Sequence, residues 1–321
     1  MSTTPGAVVA ITGVAGQLGG TLARLLESDD RVARVVGLDI RPADQSLTKT
    51  RFVRHDITQP GLDELFRAEG VCRVAHFAFV LDTIHDRALA HRIDVGGSQN
   101  VLRAAAAAGA ARVVFASSSV VFGASPDNPI PIPEDHPRRP HPRIQYTLDK
   151  VEVEDVCTAF QKEYPEIGVV VLRPVTIVGP RMNNFISRFM QKPILLVPRG
   201  FDPPWQFVHE VDCARAAQTM LFNDLRGPFN LGADDPRRLS EVLARCGRPI
   251  WRVPRRLLRA SADLFWYLRV KALSEINGPL VDFLCWPPVL DNGRLKREAG
   301  FTFRYTSGEA IDDYFRSRGR A

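Results

Sequence analysis

The sequence predicts an α/β protein, a doubly wound parallel sheet with a smaller, mostly helical C-terminal substrate lobe. Three observations predict it. Apolar runs of strand length alternate with helical patterns from Ala7 to Leu231, the order that builds a parallel sheet with helices on both faces. The first run, Ala7 to Ile11, leads into Thr12-Gly-Val-Ala-Gly-Gln-Leu-Gly-Gly20, in which Gly13, Gly16 and Gly19 stand three apart. The second run, Val35 to Leu38, ends in Asp39, twenty residues after Gly19. Strand, glycine turn, helix and a distant acid together describe a Rossmann-type dinucleotide site.

Each element follows in order. The glycines serve a tight turn, the close approach of a phosphate and the packing of helix on strand. The helix they open carries Leu18, Leu22, Leu25 and Leu26, and its first N–H groups and dipole suit a pyrophosphate. After Asp39 come a loop at Arg41-Pro42, a short strand Arg51 to Val53, a helix Leu62 to Ala68 and a strand Val74 to Phe77. A helix is expected from Ala88 to Ala108, stopped by Gly109, then a strand Val113 to Ala116. From Pro126 to Pro142 seven prolines and the basic residues Arg138, Arg139 and His141 mark a loop outside the core, its charges solvated. Arg143, just beyond, lies close enough to Tyr146 to edge a pocket. Helix Gln145 to Tyr164 and strand Val169 to Leu172 resume the pattern. Beyond Pro174 the chain should leave the sheet, returning through helix Val211 to Phe222 and strand Phe229 to Leu231. Residues 1–175 and 206–232 are thus expected to form the dinucleotide-binding domain, and 176–205 and 233–321 the substrate lobe over its cleft.

Composition excludes several classes. The five cysteines are scattered without a CxxC pair, which argues against a disulfide framework or a zinc site, and no metal is expected. The opening residues lack a signal-peptide pattern and no stretch approaches the roughly 20 apolar residues of a spanning helix. A soluble, cytoplasmic protein is expected. The net charge of +6 is modest for this length, and attraction of an anionic cofactor explains it without a nucleic-acid partner.

The chemistry centres on Tyr146 and Lys150, four apart and so on one helix face. A phenol of pKa about 10 is a poor base near neutrality, and lowering it by roughly 3 units takes about 4 kcal/mol. One cation supplies about 1 to 3 units, so Lys150 needs help, which the positive ring of an oxidised nicotinamide can give. Asp39 favours NAD over NADP, because a carboxylate aimed at the ribose 2′-oxygen repels a 2′-phosphate; Arg41 offsets part of that repulsion.

At this point the sequence resembles the extended short-chain dehydrogenase/reductases, the NAD-dependent epimerase/dehydratase family. The likeness rests on the glycine stretch, Asp39, Asp56-Ile57, His76-Phe-Ala78, Asn100, Ala116-Ser-Ser-Ser-Val-Val-Phe-Gly123, Tyr146 to Lys150, Leu172-Arg-Pro174 and Phe207-Val-His209 with Asp212. It implies an oxidoreductase with NAD, Tyr146 as acid/base, and Lys150 as partner of the phenolate and ligand of the nicotinamide ribose. Counting back from Val121-Phe-Gly123, it assigns Ser118 to orient the substrate oxygen, with Ser117 and Ser119 as neighbouring alternatives. Gly13, Gly16, Gln17, Leu18, Gly19, Asp39, Asp56, Ile57, Phe77, Ala78 and Pro174 would border the cofactor. A homodimer through the helices Ala88 to Ala108 and Gln145 to Tyr164 is also implied.

The departures concern the substrate side. Family members that bind nucleotide sugars carry an arginine where this chain has Trp205, and an asparagine where it has Thr176. Trp205 and Thr176 are expected to meet the substrate, with a core position for Trp205 as the alternative. These changes point to a small-molecule alcohol or carbonyl without a diphosphate; the alternatives are a nucleotide-sugar epimerase or dehydratase that recycles NAD, and a non-catalytic NAD-sensing protein. Segment Trp251 to Lys271, with six basic residues against Asp263, is expected to be a helical lid with an apolar face on the pocket and a solvated basic face. Peripheral contact with an anionic membrane is the other reading.

Overall fold

The computed structural model describes residues 6–44, 46–81, 84–270 and 274–319. Its first half runs β1 (Ala7–Thr12), α1 (Gln17–Glu27), β2 (Val32–Asp39), β3 (Thr50–Arg54), α2 (Leu62–Glu69), β4 (Arg73–His76), α3 (Arg87–His91), α4 (Gly97–Ala107), β5 (Arg112–Ala116), α5 (Gln145–Glu163) and β6 (Gly168–Pro174). There follow β7 (Thr176–Val178), α6 (Phe185–Gln191), β8 (Leu195–Pro198), β9 (Pro204–Trp205), β10 (Phe207–His209), α7 (Glu210–Phe222), β11 (Gly227–Leu231) and β12 (Arg237–Arg238). The chain closes with α8 (Leu239–Ala244), β13 (Ile250–Val253), α9 (Arg255–Tyr267), α10 (Gly293–Ala299) and α11 (Ser307–Arg316).

Seven strands form one sheet in the order β11-β6-β5-β4-β1-β2-β3, every pair parallel. Strand order reverses between β1 and β4, which opens a crevice at their carboxyl ends where ligands bind in such sheets. Side chains alternate across the sheet: Val9 and Ile11 join α1 and α7 in one core, while Ala10 joins α2, α4 and α5 in the other. Leu295 and Phe301, at α10, belong to the first of these cores. A third core, with Trp205, Phe207, Leu243, Ile311 and Tyr314, holds β9, β10, α8 and α11 together.

Three expectations are corrected. The helix expected from Ala88 to Ala108 is α3 and α4 joined by a π-turn, Arg92–Gly96; the stop at Gly109 stands, with φ +64°. The proline-rich loop is not wholly outside the core, since Ile132 is fully buried against the sheet. Flanked by Pro131 and Pro133, which have no N–H, Ile132 pairs through its own N–H and C=O with Val289 and Asp291. Nor is Trp251 to Lys271 one helix: Trp251 lies on β13, paired with β8, and α9 starts after Pro254. Lys271 falls outside the described residues.

Candidate active site

The crevice between β1 and β4 is built from backbone. Gly13, at φ +75°, brings the turn within contact of β4's exit: a Cβ there would lie 2.7 Å from the Ala78 nitrogen. A Cβ on Gly19 would run into the Gly13 carbonyl, so turn and helix pack only with glycine at both. Helix α1 begins after Gly16 with no side-chain cap and no acid in its first turn, which leaves its N–H groups and positive dipole end for an anion. Asp39 closes the far side. Its buried carboxylate accepts from Ala15 N at 3.1 Å and Arg41 N at 3.0 Å, with Arg41 Nε at 3.5 Å.

The remaining expected cofactor residues divide. The Gln17 side chain turns away, donating to Glu210 at 2.6 Å, and Leu18 packs on the first core; both face an anion only through backbone. Asp56 is exposed and caps its own turn at Thr58, while Ile57 is buried beneath Gly97. Asn100 anchors this turn through the Ile57 and Gln59 carbonyls, each at 2.8 Å. Phe77 and Ala78 donate their N–H groups to Thr12 Oγ1, and Pro174 ends β6.

A few residues along the sheet edge, the catalytic candidates converge. Burial raises the Tyr146 phenol above its ordinary pKa; the nearby Ser118 hydroxyl opposes this and the Asp94 charge adds to it. Lys150 is buried, donates to the Ala116 carbonyl at 2.6 Å and lies 3.4 Å from the Phe79 ring centroid. Burial lowers its pKa, against the pull of Asp94 and Glu154. Of the alternative serines, Ser117 donates to Glu154 at 2.5 Å, where Arg173 makes a bidentate pair. Ser119 is buried in a 3₁₀ turn.

Sequence reasoning gave no role to three supports. Phe79 stands edge-on to Tyr146, centroids 5.7 Å apart, beneath Lys150; its signal was an aromatic just after Ala78. Asp94, on the π-turn, accepts from Val80 N at 2.8 Å and so holds the Phe79 loop; an acid at helical spacing with Ser98, Val101 and Ala105 could have shown it. His76 links Thr12 Oγ1 at 2.6 Å to Ser98 Oγ at 2.8 Å, and burial drops its pKa to about 3. On α3 and α5, His91, Asp149 and Glu152 come together; the 2.9 Å contact of His91 with Asp149 is a hydrogen bond that raises the imidazole pKa.

The family model that matches residues 9–232 is that of the NAD dependent epimerase/dehydratase family. The chain belongs to this family. An uncharacterized protein of Mycobacterium tuberculosis is 32% identical over 319 residues, 97% of this chain and 84% of that protein. UDP-glucose 4-epimerase 2 of Oryza sativa subsp. japonica is 30% identical over 255 residues, covering 73% and 59%. Two solved structures share the fold. The Thermus thermophilus UDP-glucose 4-epimerase complex with NAD has TM-score 0.76 at 21% identity, covering 96% of this chain and 99% of that one. MoeE5 in complex with UDP-glucuronic acid and NAD has TM-score 0.75 at 24% identity, covering 98% and 99%. This is therefore an NAD-dependent enzyme, and the uncapped α1 terminus, the crowded glycines and Asp39 fit that cofactor.

A chamber of about 400 Å³ lies between α6, α9 and the 3₁₀ turn Gly278–Leu284, walled by Phe185, Phe189, Leu258, Phe265, Leu280 and Leu284. Trp205 also lines it, only 5% exposed and packed on Phe207, its Nε1 without a hydrogen-bond partner. Trp205 is thus a core residue that also forms part of a cavity wall. Thr176 lies on β7 beside Phe207. The chamber's roof is tied to the start of α5: Arg143 pairs with Asp263 at 2.6 Å and its carbonyl accepts from Asn277 at 2.8 Å. Trp266 stacks on His85, centroids 3.9 Å apart. Arg143 therefore braces the lid, and Arg138 is engaged by Glu154 and Asp155.

Proposed function

We propose that this enzyme moves hydride between NAD and an alcohol or carbonyl substrate that carries no nucleoside diphosphate. The chamber carries this reading. A diphosphate leaving water requires charge-assisted hydrogen bonds, whereas this wall is mostly aromatic and aliphatic, Trp205 included, with Lys192 and Glu275 its charged members. Of the three arginines that could compensate, Arg181 is engaged by Glu210 and Thr21, Arg188 by Glu275, and Arg199 does not line the chamber.

In this reading residues 1–175 and 206–232 hold the cofactor, and 176–205 and 233–321 hold the substrate. NAD, when bound, supplies the hydride acceptor. Ser118 orients the substrate oxygen. Tyr146, kept protonated by burial, donates to that oxygen during reduction; in oxidation it becomes the base only while positive charge from Lys150 and the nicotinamide ring offsets its desolvation. Phe79 and Asp94 keep Lys150 in place. A homodimer through α4 and α5 belongs to the same reading.

The test is NADH formation by the purified enzyme with hydrophobic secondary alcohols, hydroxysteroids and UDP-sugars in parallel. Net NADH with an alcohol is expected. The second reading, a nucleotide-sugar epimerase, is supported by the likeness to the rice enzyme; it predicts conversion of a UDP-sugar with no net NADH, and that result would replace the first.

A further inference from the structure

Ten large apolar side chains are exposed among the described residues, and seven of them lie on β8, β13, α9 and the end of α9. Such clustering is unlike the single apolar residues scattered over ordinary surfaces. Leu257, Leu264 and Leu268, 60%, 53% and 56% exposed, fall at helical positions i, i+7 and i+11 and so form one stripe. On the neighbouring face of α9, about 100° round the helix, Leu258, Ala262 and Phe265 line the chamber. The helix is thus apolar on two faces, contrary to the expectation of one apolar and one solvated basic face. The chamber accounts for the inner face alone.

Charge narrows what covers the outer one. Arg252, Arg256 and Arg269 are exposed around the stripe. Asp263, the only acid of α9, is paired with Arg143, while Arg255 and Arg259 both turn to Asp282. The outward field is therefore positive with an apolar centre. A second copy of the chain meeting this face about a two-fold axis would set arginine against arginine. An anionic lipid surface complements both the leucines and the arginines.

We propose that the outer face of α9 docks this enzyme on anionic bilayers. Leu196 and Trp251 line the chamber and are themselves 41% and 59% exposed, so the chamber's mouth opens beside the docking stripe. An amphiphile can then pass from bilayer to chamber with its apolar part covered; this last clause rests on the proposed reaction, and the docking does not.

Co-sedimentation of the NAD-loaded enzyme with vesicles tests it. Binding to phosphatidylcholine mixed with phosphatidylserine should exceed binding to phosphatidylcholine alone by roughly tenfold or more and weaken with salt. Leu257→Ser with Leu264→Ser should abolish it, and Arg252→Gln with Arg256→Gln should remove the lipid preference. The second pair keeps the test open should the first fail to fold. Equal sedimentation with and without vesicles overturns the proposal. So does a dimer, seen by sedimentation velocity, that the leucine pair dissociates, because a second copy then covers the face. Vesicle binding without NADH formation from any alcohol would leave the docking intact and remove only the proposed reaction.

Discussion

At the carboxyl ends of β1 and β4 the ligand site is made of backbone: uncapped N–H groups of α1, glycines at contact distance and one buried carboxylate. Beneath α9 the site is made of side chains, with the Trp205 indole and a ring of phenylalanines and leucines. A backbone site has few sequence solutions, since a Cβ at Gly13 or Gly19 collides with main chain. A side-chain site can exchange its chemistry at single positions without disturbing the strands beneath it. In the proposed reading, family membership is therefore written in the first site and substrate class in the second.

The largest expected effect belongs to the Tyr146–Lys150 face of α5. Tyr146→Phe should leave NAD affinity nearly unchanged and lower turnover by roughly 100- to 10,000-fold, the range for a lost general acid/base. Lys150→Ala should damage both, because it serves phenolate and ribose. Stopped-flow hydride transfer alongside fluorescence titration of NAD separates the outcomes, and a Tyr146→Phe variant with most of its turnover would detach the chemistry from this strip.

A second difference is acid sensitivity. His76 titrates near pH 3 in the folded chain against an ordinary value of 6.5, so between those limits the unfolded chain binds more protons. Its contribution is whole above pH 6.5 and is lost as pH falls through 6.5 toward 3, up to about 4 to 5 kcal/mol. His76→Gln should flatten the acid limb of stability, measured by urea unfolding from pH 7 to 4. An unchanged limb would locate the acid-sensitive step away from the cofactor half.

This contrast explains what the sequence made legible. The alternation of strands and helices, the glycine turn, Asp39 and the Tyr146–Lys150 spacing are local patterns. Ser118 needed the structure, because three consecutive serines differ only in facing, and Glu154 with Arg173 claims Ser117. Phe79 reaches Tyr146 and Lys150 across 67 and 71 residues through ring contacts, and Asp94 reaches Val80 across 14 through a loop bond; no periodicity records either. The second apolar face of α9 was hidden because β13 takes Trp251 out of the helical pattern and Asp282, outside the segment, takes Arg255 and Arg259.

Cofactor choice is a smaller effect. If Asp39 selects the dinucleotide, NAD(H) should bind more tightly than NADP(H) by about 1 to 3 kcal/mol, the worth of a charge-assisted hydrogen bond gained and a repulsion avoided. Asp39→Ala should narrow that gap. Fluorescence titration of both cofactors measures it, and equal affinities in the parent enzyme would show that Arg41, within 3.5 Å of the carboxylate, dominates.

The smallest expected effect discriminates most sharply between substrate classes. Arg188 stands on α6 and donates to Glu275 at 2.5 Å; both side chains are about a third exposed, 33% and 30%. Glu275 is on the chamber wall, so this is the arginine best placed to reach a phosphate were Glu275 to release it. For an apolar substrate the pair only ties α6 to the segment below α9, and a partly exposed pair contributes about 0 to 1 kcal/mol. Arg188→Gln should then lower stability by no more than about 1 kcal/mol and change the affinity for a hydrophobic ketone by less than about fivefold. UDP-glucose should bind the NAD-loaded parent no better than millimolar, weaker than about −4 kcal/mol, and the variant no differently. For a diphosphate substrate the same substitution would remove hydrogen bonds to a charged group, about 1.5 to 3 kcal/mol or roughly 10- to 150-fold in affinity. Calorimetry of parent and variant with both ligands reads this directly. Micromolar UDP-glucose binding that Arg188→Gln weakens by that factor would make the lobe a second polar site and restore the epimerase reading.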